Sequence, residues 1–163
     1  MPLDLESLAL KVTLRIYEAL GGKREKVKAE ALVRRAKDLP SLVKQAGLFQ
    51  SIALYLSKVE NENKYESIYK IVSGVVCGEC KKSLSNDKEG EGKGYTTLLT
   101  VLAYAISTVL KERLKECKNL SNIRSLAQCA LRLKESNLLL STESQLTPYL
   151  ITVKRMFEAL FTD

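Results

Sequence analysis

The chain has 163 residues, 45% of them apolar and 28% charged, a composition that excludes a disordered chain and suffices to bury a core without disulfide staples. Its 26 Lys and Arg against 19 Asp and Glu leave a net charge of +7, an excess that attracts polyanions without naming one. There is no histidine, which removes the commonest general base and metal ligand.

Met1 to Lys11 carries Asp4 and Glu6 where a secretory leader would be basic, and no small-residue cleavage site follows an apolar stretch. A cytoplasmic protein is expected. From Leu5, the residues Leu8, Ala9, Val12, Ile16, Ala19 and Leu20 follow the i, i+3, i+4, i+7 spacing of an amphipathic helix, and Gly21-Gly22 stops it. The opposite side carries Leu3, Leu10, Leu14 and Tyr17. A helix apolar on two faces is either central or half-exposed for a partner, and the central placement is the expected one.

A second helix is expected over roughly Lys23 to Leu39, with Ala29, Leu32, Val33 and Ala36 turned inward. The rest of its circumference is basic. Lys23, Arg24, Lys26, Lys28, Arg34, Arg35 and Lys37 stand against only Glu25 and Glu30, so i, i+4 pairing such as Glu30 with Arg34 leaves most of the charge unpaired. These seven cations are the candidate nucleic-acid-binding residues. On one continuous helix Arg24, Lys28 and Arg35 would lie within about 40° of one another.

Leu39-Pro40 is expected to break that helix, because proline suits a first turn and disfavours helix in the residue before it. A short helix then ends at Gly47, and Leu48 to Lys58 forms another. Asn61-Glu62-Asn63 reads as a turn with Asn63 as N-cap, followed by an amphipathic stretch through Tyr65, Ile68, Tyr69 and Val72 to about Val76.

Cys77 and Cys80 have C-x-x-C spacing, that of a zinc half-site or a redox pair. A second close pair is missing, since Cys117 and Cys129 are twelve residues apart, and no βαβ pattern surrounds the first. Disulfides remain open, but reduced structural thiols are the expectation; no metal and no cofactor is expected. Gly78 to Gly94 loses all periodicity and reads as a mobile loop. Its Gly92-Lys93 does not make a P-loop: position 87 is aspartate where the first glycine is needed, and Gly94 replaces the Ser or Thr.

A long helix is expected from Tyr95 to Lys118, apolar as far as Leu110 and charged beyond. The uncharged run Gly94 to Leu110 is too short and polar to span a bilayer, so no membrane association is expected. Lys111, Arg113, Lys115, Lys118, Arg124, Arg132 and Lys134 form a second basic excess, opposed by Glu112 and Glu116. Ile123, Leu126, Ala127 and Ala130 mark a helix within it. The last helix repeats Leu146, Tyr149, Leu150, Val153, Phe157 and Leu160, with Thr147-Pro148 as its expected start. Strand alternation is missing throughout. The expected fold is all-α: one domain over residues 1–163, a bundle of about six to seven helices with a mobile loop at about 78–94.

Two segments resemble a known family. Ala36 to Lys58, with Leu39-Pro40, Gly47-Leu48, Gln50 and Ser57-Lys58 at fixed offsets, is similar to the small helical subunit of type III-B CRISPR effector (Cmr) complexes. The ending Lys154-Arg155, Phe157 and Glu158-Ala159 also resembles that family. The resemblance implies a non-catalytic structural subunit of an antiviral RNA-guided complex. Copies of it would stack in a filament along the guide RNA–target RNA duplex, beside the backbone subunits and the large subunit. RNA binding would then fall to the basic helices, which touch phosphates while the guide supplies sequence. Leu39, Pro40, Gly47 and Leu48 are expected to set a helix junction, with Gln50 satisfying a backbone group there. The alternatives from charge and cysteines alone are a stand-alone helical nucleic-acid binder or adaptor and a thiol redox protein.

Overall fold

A computed structural model describes residues 4–23, 27–89 and 92–161, and among them the secondary structure is helical throughout. Eight α-helices follow in order: α1 (Leu5–Ala19), α2 (Glu30–Ala46), α3 (Leu48–Ser57), α4 (Glu62–Ser73), α5 (Cys80–Glu89), α6 (Tyr95–Leu110), α7 (Ile123–Glu135) and α8 (Leu139–Phe161), with a short 3-10 turn at Lys115–Cys117. The count exceeds the expected six to seven because the glycine-rich segment contributes a helix.

α6 is the centre. Leu98, Leu99, Val101, Leu102, Ala103, Ala105, Ile106 and Leu110 are all fully buried, and α2, α3, α4 and α8 pack around them. A helix this deeply buried satisfies most of its polar side chains internally, although Thr96 Oγ1 has no partner among the described residues. Thr100 Oγ1 accordingly donates to the Thr97 carbonyl (2.6 Å), and Ser107 Oγ donates to the Lys118 carbonyl (2.7 Å). The Tyr149 hydroxyl on α8 donates to the Val101 carbonyl at 2.8 Å. α1 therefore does not take the central place. It packs on α8 and α4 and leaves Leu10 and Leu14 at 40% and 43% exposure, while Leu3 lies outside the described residues. Asp4 caps α1, and the hydrogen bonds it accepts from the Ser7 hydroxyl and amide lower its pKa.

Several boundaries differ from expectation, each for a tertiary reason. α2 starts at Glu30, so Lys23 and Lys28 are not helical. It runs through Pro40 without a break, because Leu32, Val33, Ala36, Leu39 and Val43 form one buried stripe against α8. Keeping that stripe continuous outweighs the roughly 3 kcal/mol cost of an interior proline. Pro148 likewise lies inside α8, which starts nine residues before it. α4 is capped by Asn61, whose side chain accepts from the amides of Asn63 and Lys64, and it stops at left-handed Gly74 instead of Val76.

α6 ends at Leu110. The basic segment that follows turns back, burying Leu114, Cys117 and Leu120, and Cys117 is disulfide-bonded to Cys129 on α7 (Cα–Cα 4.8 Å). Cys77 is bonded to Cys80 (Cα–Cα 5.5 Å), so the reduced thiols expected from the sequence are replaced by two disulfides. At the α2–α3 junction Gly47 takes φ 90°, and the first amide of α3, Leu48 N–H, donates to Glu143 on α8 (3.3 Å). Gln50 is exposed and makes no hydrogen bond among the described residues, so Glu143 supplies the acceptor expected of Gln50.

Candidate nucleic-acid interface

The seven candidate cations separate into four groups. Arg24 and Lys26 lie outside the described residues. Arg35 is drawn into the fold. Its position on α2 is about 100° round the helix from Arg34, which turns it toward α6. Its guanidinium lies 4.5 Å from the centre of the Tyr95 ring, donates to the Tyr95 hydroxyl (2.8 Å) and pairs with Asp38 (3.2 Å). With only 15% of its side chain exposed, Arg35 is a structural cation joining α2 to α6.

Lys28, Arg34 and Lys37 are exposed and converge on one cleft of about 350 Å³, floored by Ala29, Val33 and Phe161. Arg34 and Lys37 are three residues apart on one face of α2, and Lys28 reaches the same cleft from the extended segment before the helix. None of the three forms an ion pair among the described residues, and the expected Glu30–Arg34 pair is not made, although Glu30 lines the cleft. A second cleft of about 360 Å³ shares Lys28, Glu30 and Arg34 and adds Lys88, Glu89 and Lys93. Lys88 pairs loosely with Glu89 (3.9 Å) and, like Arg35, keeps only 15% of its side chain exposed, so Lys93 is the cation this segment presents. Lys23 is exposed beyond the end of α1.

Lys93 was invisible as a site residue in the sequence because it falls in the segment read as a loop. What orders that segment is a buried carboxylate. Asp87 on α5 is fully buried; it accepts from the Thr97 amide (2.8 Å) and hydroxyl at the start of α6 and pairs with Lys64 on α4 (3.1 Å). α6 has no capping side chain of its own, and Asp87 fills that role from another helix. The glycines complete the fit. A Cβ at Gly92 would lie 2.4 Å from Asp87 Oδ1 and 2.6 Å from Lys64 Nζ. One at Gly94 (φ +86°) would lie 2.6 Å from the Ala31 carbonyl oxygen. Only glycine lets this turn press against both the ion pair and α2, and so bring Lys93 beside Arg34.

The second basic excess is looser. Lys111, Arg113, Lys115, Lys118 and Arg124 are exposed on turns and at the start of α7, Arg132 pairs with Glu116 (3.5 Å), and Lys134 covers the Phe49 ring (4.5 Å). Lys154 is half-buried and Arg155 exposed on α8. Among the described residues no three His, Cys, Asp or Glu side chains gather as a metal site, and no helix is long and apolar enough to cross a membrane.

Residues 11–97, more than half of the chain, match the family model described as CRISPR-associated protein (Cas_Cmr5). The matched region contains Lys28, Arg34, Lys37, Lys88 and Lys93, and also the Lys64–Asp87–Thr97 connection. No curated protein and no solved structure matches the chain.

Proposed function

From the premise that the chain belongs to the Cas_Cmr5 family of CRISPR-associated proteins, we propose that it is a non-catalytic structural subunit of a type III-B RNA-guided effector complex in the cytoplasm. In this reading its basic face lies along the phosphates of the guide RNA–target RNA duplex. Copies of the subunit stack beside the backbone and large subunits.

The observation that carries the proposal is the convergence of Lys28, Arg34 and Lys37 on one cleft, without ion-pair partners among the described residues, extended by exposed Lys93 from the turn after α5. Exposed cations from the segment before α2, from α2 itself and from the turn after α5 form a surface, which a single solvated helix face would not. Phosphate contact needs charge and reach without base-reading geometry, and this face offers both. Lys23, Arg24 and Lys26 extend the same segment toward the N-terminus. Arg35 leaves the set, since its hydrogen bonds and ring contact hold it inside.

The test is a triple replacement, Lys28→Glu, Arg34→Glu and Lys37→Glu, assayed on an RNA duplex across a salt series. The slope of log affinity against log salt should fall by about one for each lost phosphate contact, while far-UV circular dichroism stays unchanged. Matching replacements at Lys111, Lys115 and Lys118 are the control and should have the smaller effect. A triple variant that binds RNA and joins the effector complex as the wild type does would refute the assignment.

A further inference from the structure

The two disulfides occupy opposite environments. Cys117 and Cys129 are 0% and 1% exposed, closed in between the 3-10 turn and α7. The Cys77–Cys80 bond sits at the surface between α4 and α5. Cys80 is 2% exposed, whereas Cys77 is only partly covered and lines an open cleft of about 380 Å³ together with Arg15, Glu18, Val75, Gly78 and Lys81. We propose that Cys77–Cys80 is a thiol–disulfide exchange site, open to dithiol reductants at the Cys77 sulfur, whereas Cys117–Cys129 is a closed structural link.

The direction of attack follows from geometry. A thiolate of the reductant can approach Cys77 Sγ through the cleft but has no path to the buried Cys80. As it bonds to Cys77 Sγ, the Cys77–Cys80 bond breaks and its electron pair leaves on Cys80 Sγ. Cys80 is the first residue of α5, where the positive end of the helix dipole stabilises the departing thiolate. Lys81 and Lys82 follow it directly, opposed by Glu79. A thiolate stabilised in this way is the better leaving group, which speeds exchange. The second thiol of the reductant then attacks its own sulfur in the mixed disulfide and releases Cys77. Two electrons and two protons pass from the dithiol to Cys77 and Cys80, and the reductant departs as a cyclic disulfide. The other end of α5 is held by buried Leu84 and by Asp87, so the chemistry stays local to the helix start.

Folded, full-length protein is treated with limiting dithiothreitol, quenched with iodoacetamide at intervals and mapped by peptide mass spectrometry. Cys77 and Cys80 should become alkylated at least about tenfold faster than Cys117 and Cys129, with circular dichroism unchanged. Equal rates, earlier opening of Cys117–Cys129, or labelling of Cys77 and Cys80 only after unfolding would overturn the proposal. The direction of attack has its own readout. Folded Cys80→Ser should capture glutathione from its oxidised form at Cys77, and folded Cys77→Ser should capture it at least about tenfold more slowly at Cys80. Equal capture by the two variants would overturn the assignment of Cys77 as the attacked sulfur.

Discussion

Replacing Asp87 by alanine removes at once an ion pair and the acceptor for the first turn of α6. Asp87 is fully buried and Lys64 keeps only 15% of its side chain exposed, so the ammonium left behind has little water to replace its partner. Breaking one side of such a buried pair costs about 3–5 kcal/mol, and the lost cap contributes about 1 kcal/mol within that range. Asp87→Asn keeps an acceptor for the Thr97 amide and loses the charge, so its cost should be intermediate. Lys64→Met, placed in the Asp87→Ala background, keeps the apolar stem and removes the stranded charge. Part of the stability should return, giving a coupling energy of about 1–3 kcal/mol between the two sites. Urea unfolding of the wild type, Asp87→Ala, Lys64→Met and the double variant supplies the cycle, with the midpoint shift multiplied by m giving each difference. A loss below about 1 kcal/mol for Asp87→Ala would equal that of an exposed pair. That result, or strict additivity, would refute the view that this carboxylate organises the α4–α5–α6 corner.

Gly94→Ala should lower stability by about 1–3 kcal/mol in the same assay, because its Cβ meets the Ala31 carbonyl at 2.6 Å and its φ is +86°. The loss should extend to RNA affinity, since the turn that positions Lys93 would shift. The protein should also weaken in alkali. Burial raises the phenols of Tyr55, Tyr65 and Tyr149 and pushes Tyr69 up to about 12. Below the unfolded value of about 10 both states hold the proton and the contribution is complete; between about pH 10 and 12 the unfolded chain ionises first and stability falls. Thermal melts across that window, read with tyrosinate absorbance, should show the decline, and a flat profile would refute it.

The apolar periodicity of α1, α3, α7 and the second half of α8 was legible because each presents one stripe to the core, and such a stripe needs only local spacing. Prolines misled. Pro40 and Pro148 obey a local rule against helix that a continuous buried face overrides, and the face is apparent only once α2 and α8 are side by side. α5 was unreadable for the opposite reason. Its buried side chains are Cys80, Leu84 and Asp87, and the carboxylate that anchors it finds partners on two other helices. The candidate site was half legible. Charge density located Lys28, Arg34 and Lys37, but the loss of Arg35 to Tyr95, sixty residues away, is a tertiary event with no local signature. The same holds for the arrival of Lys93. Both disulfides likewise depend on turns that bring the sulfurs together, which spacing alone left undecided.

α1 packs most extensively against α8, with the Tyr17 and Phe161 rings meeting edge-on at 5.7 Å. During synthesis the first helix emerges long before its main neighbour exists. At ribosomal rates of about 5–20 residues per second, the intervening chain takes on the order of ten seconds to appear. Through that interval Ala9, Val12 and Ile16 have at most α4 and the later-emerging α5 and α6 to cover them. The nascent chain thus carries a partly covered apolar stripe until α8 clears the exit tunnel, and closure of the bundle waits on that helix.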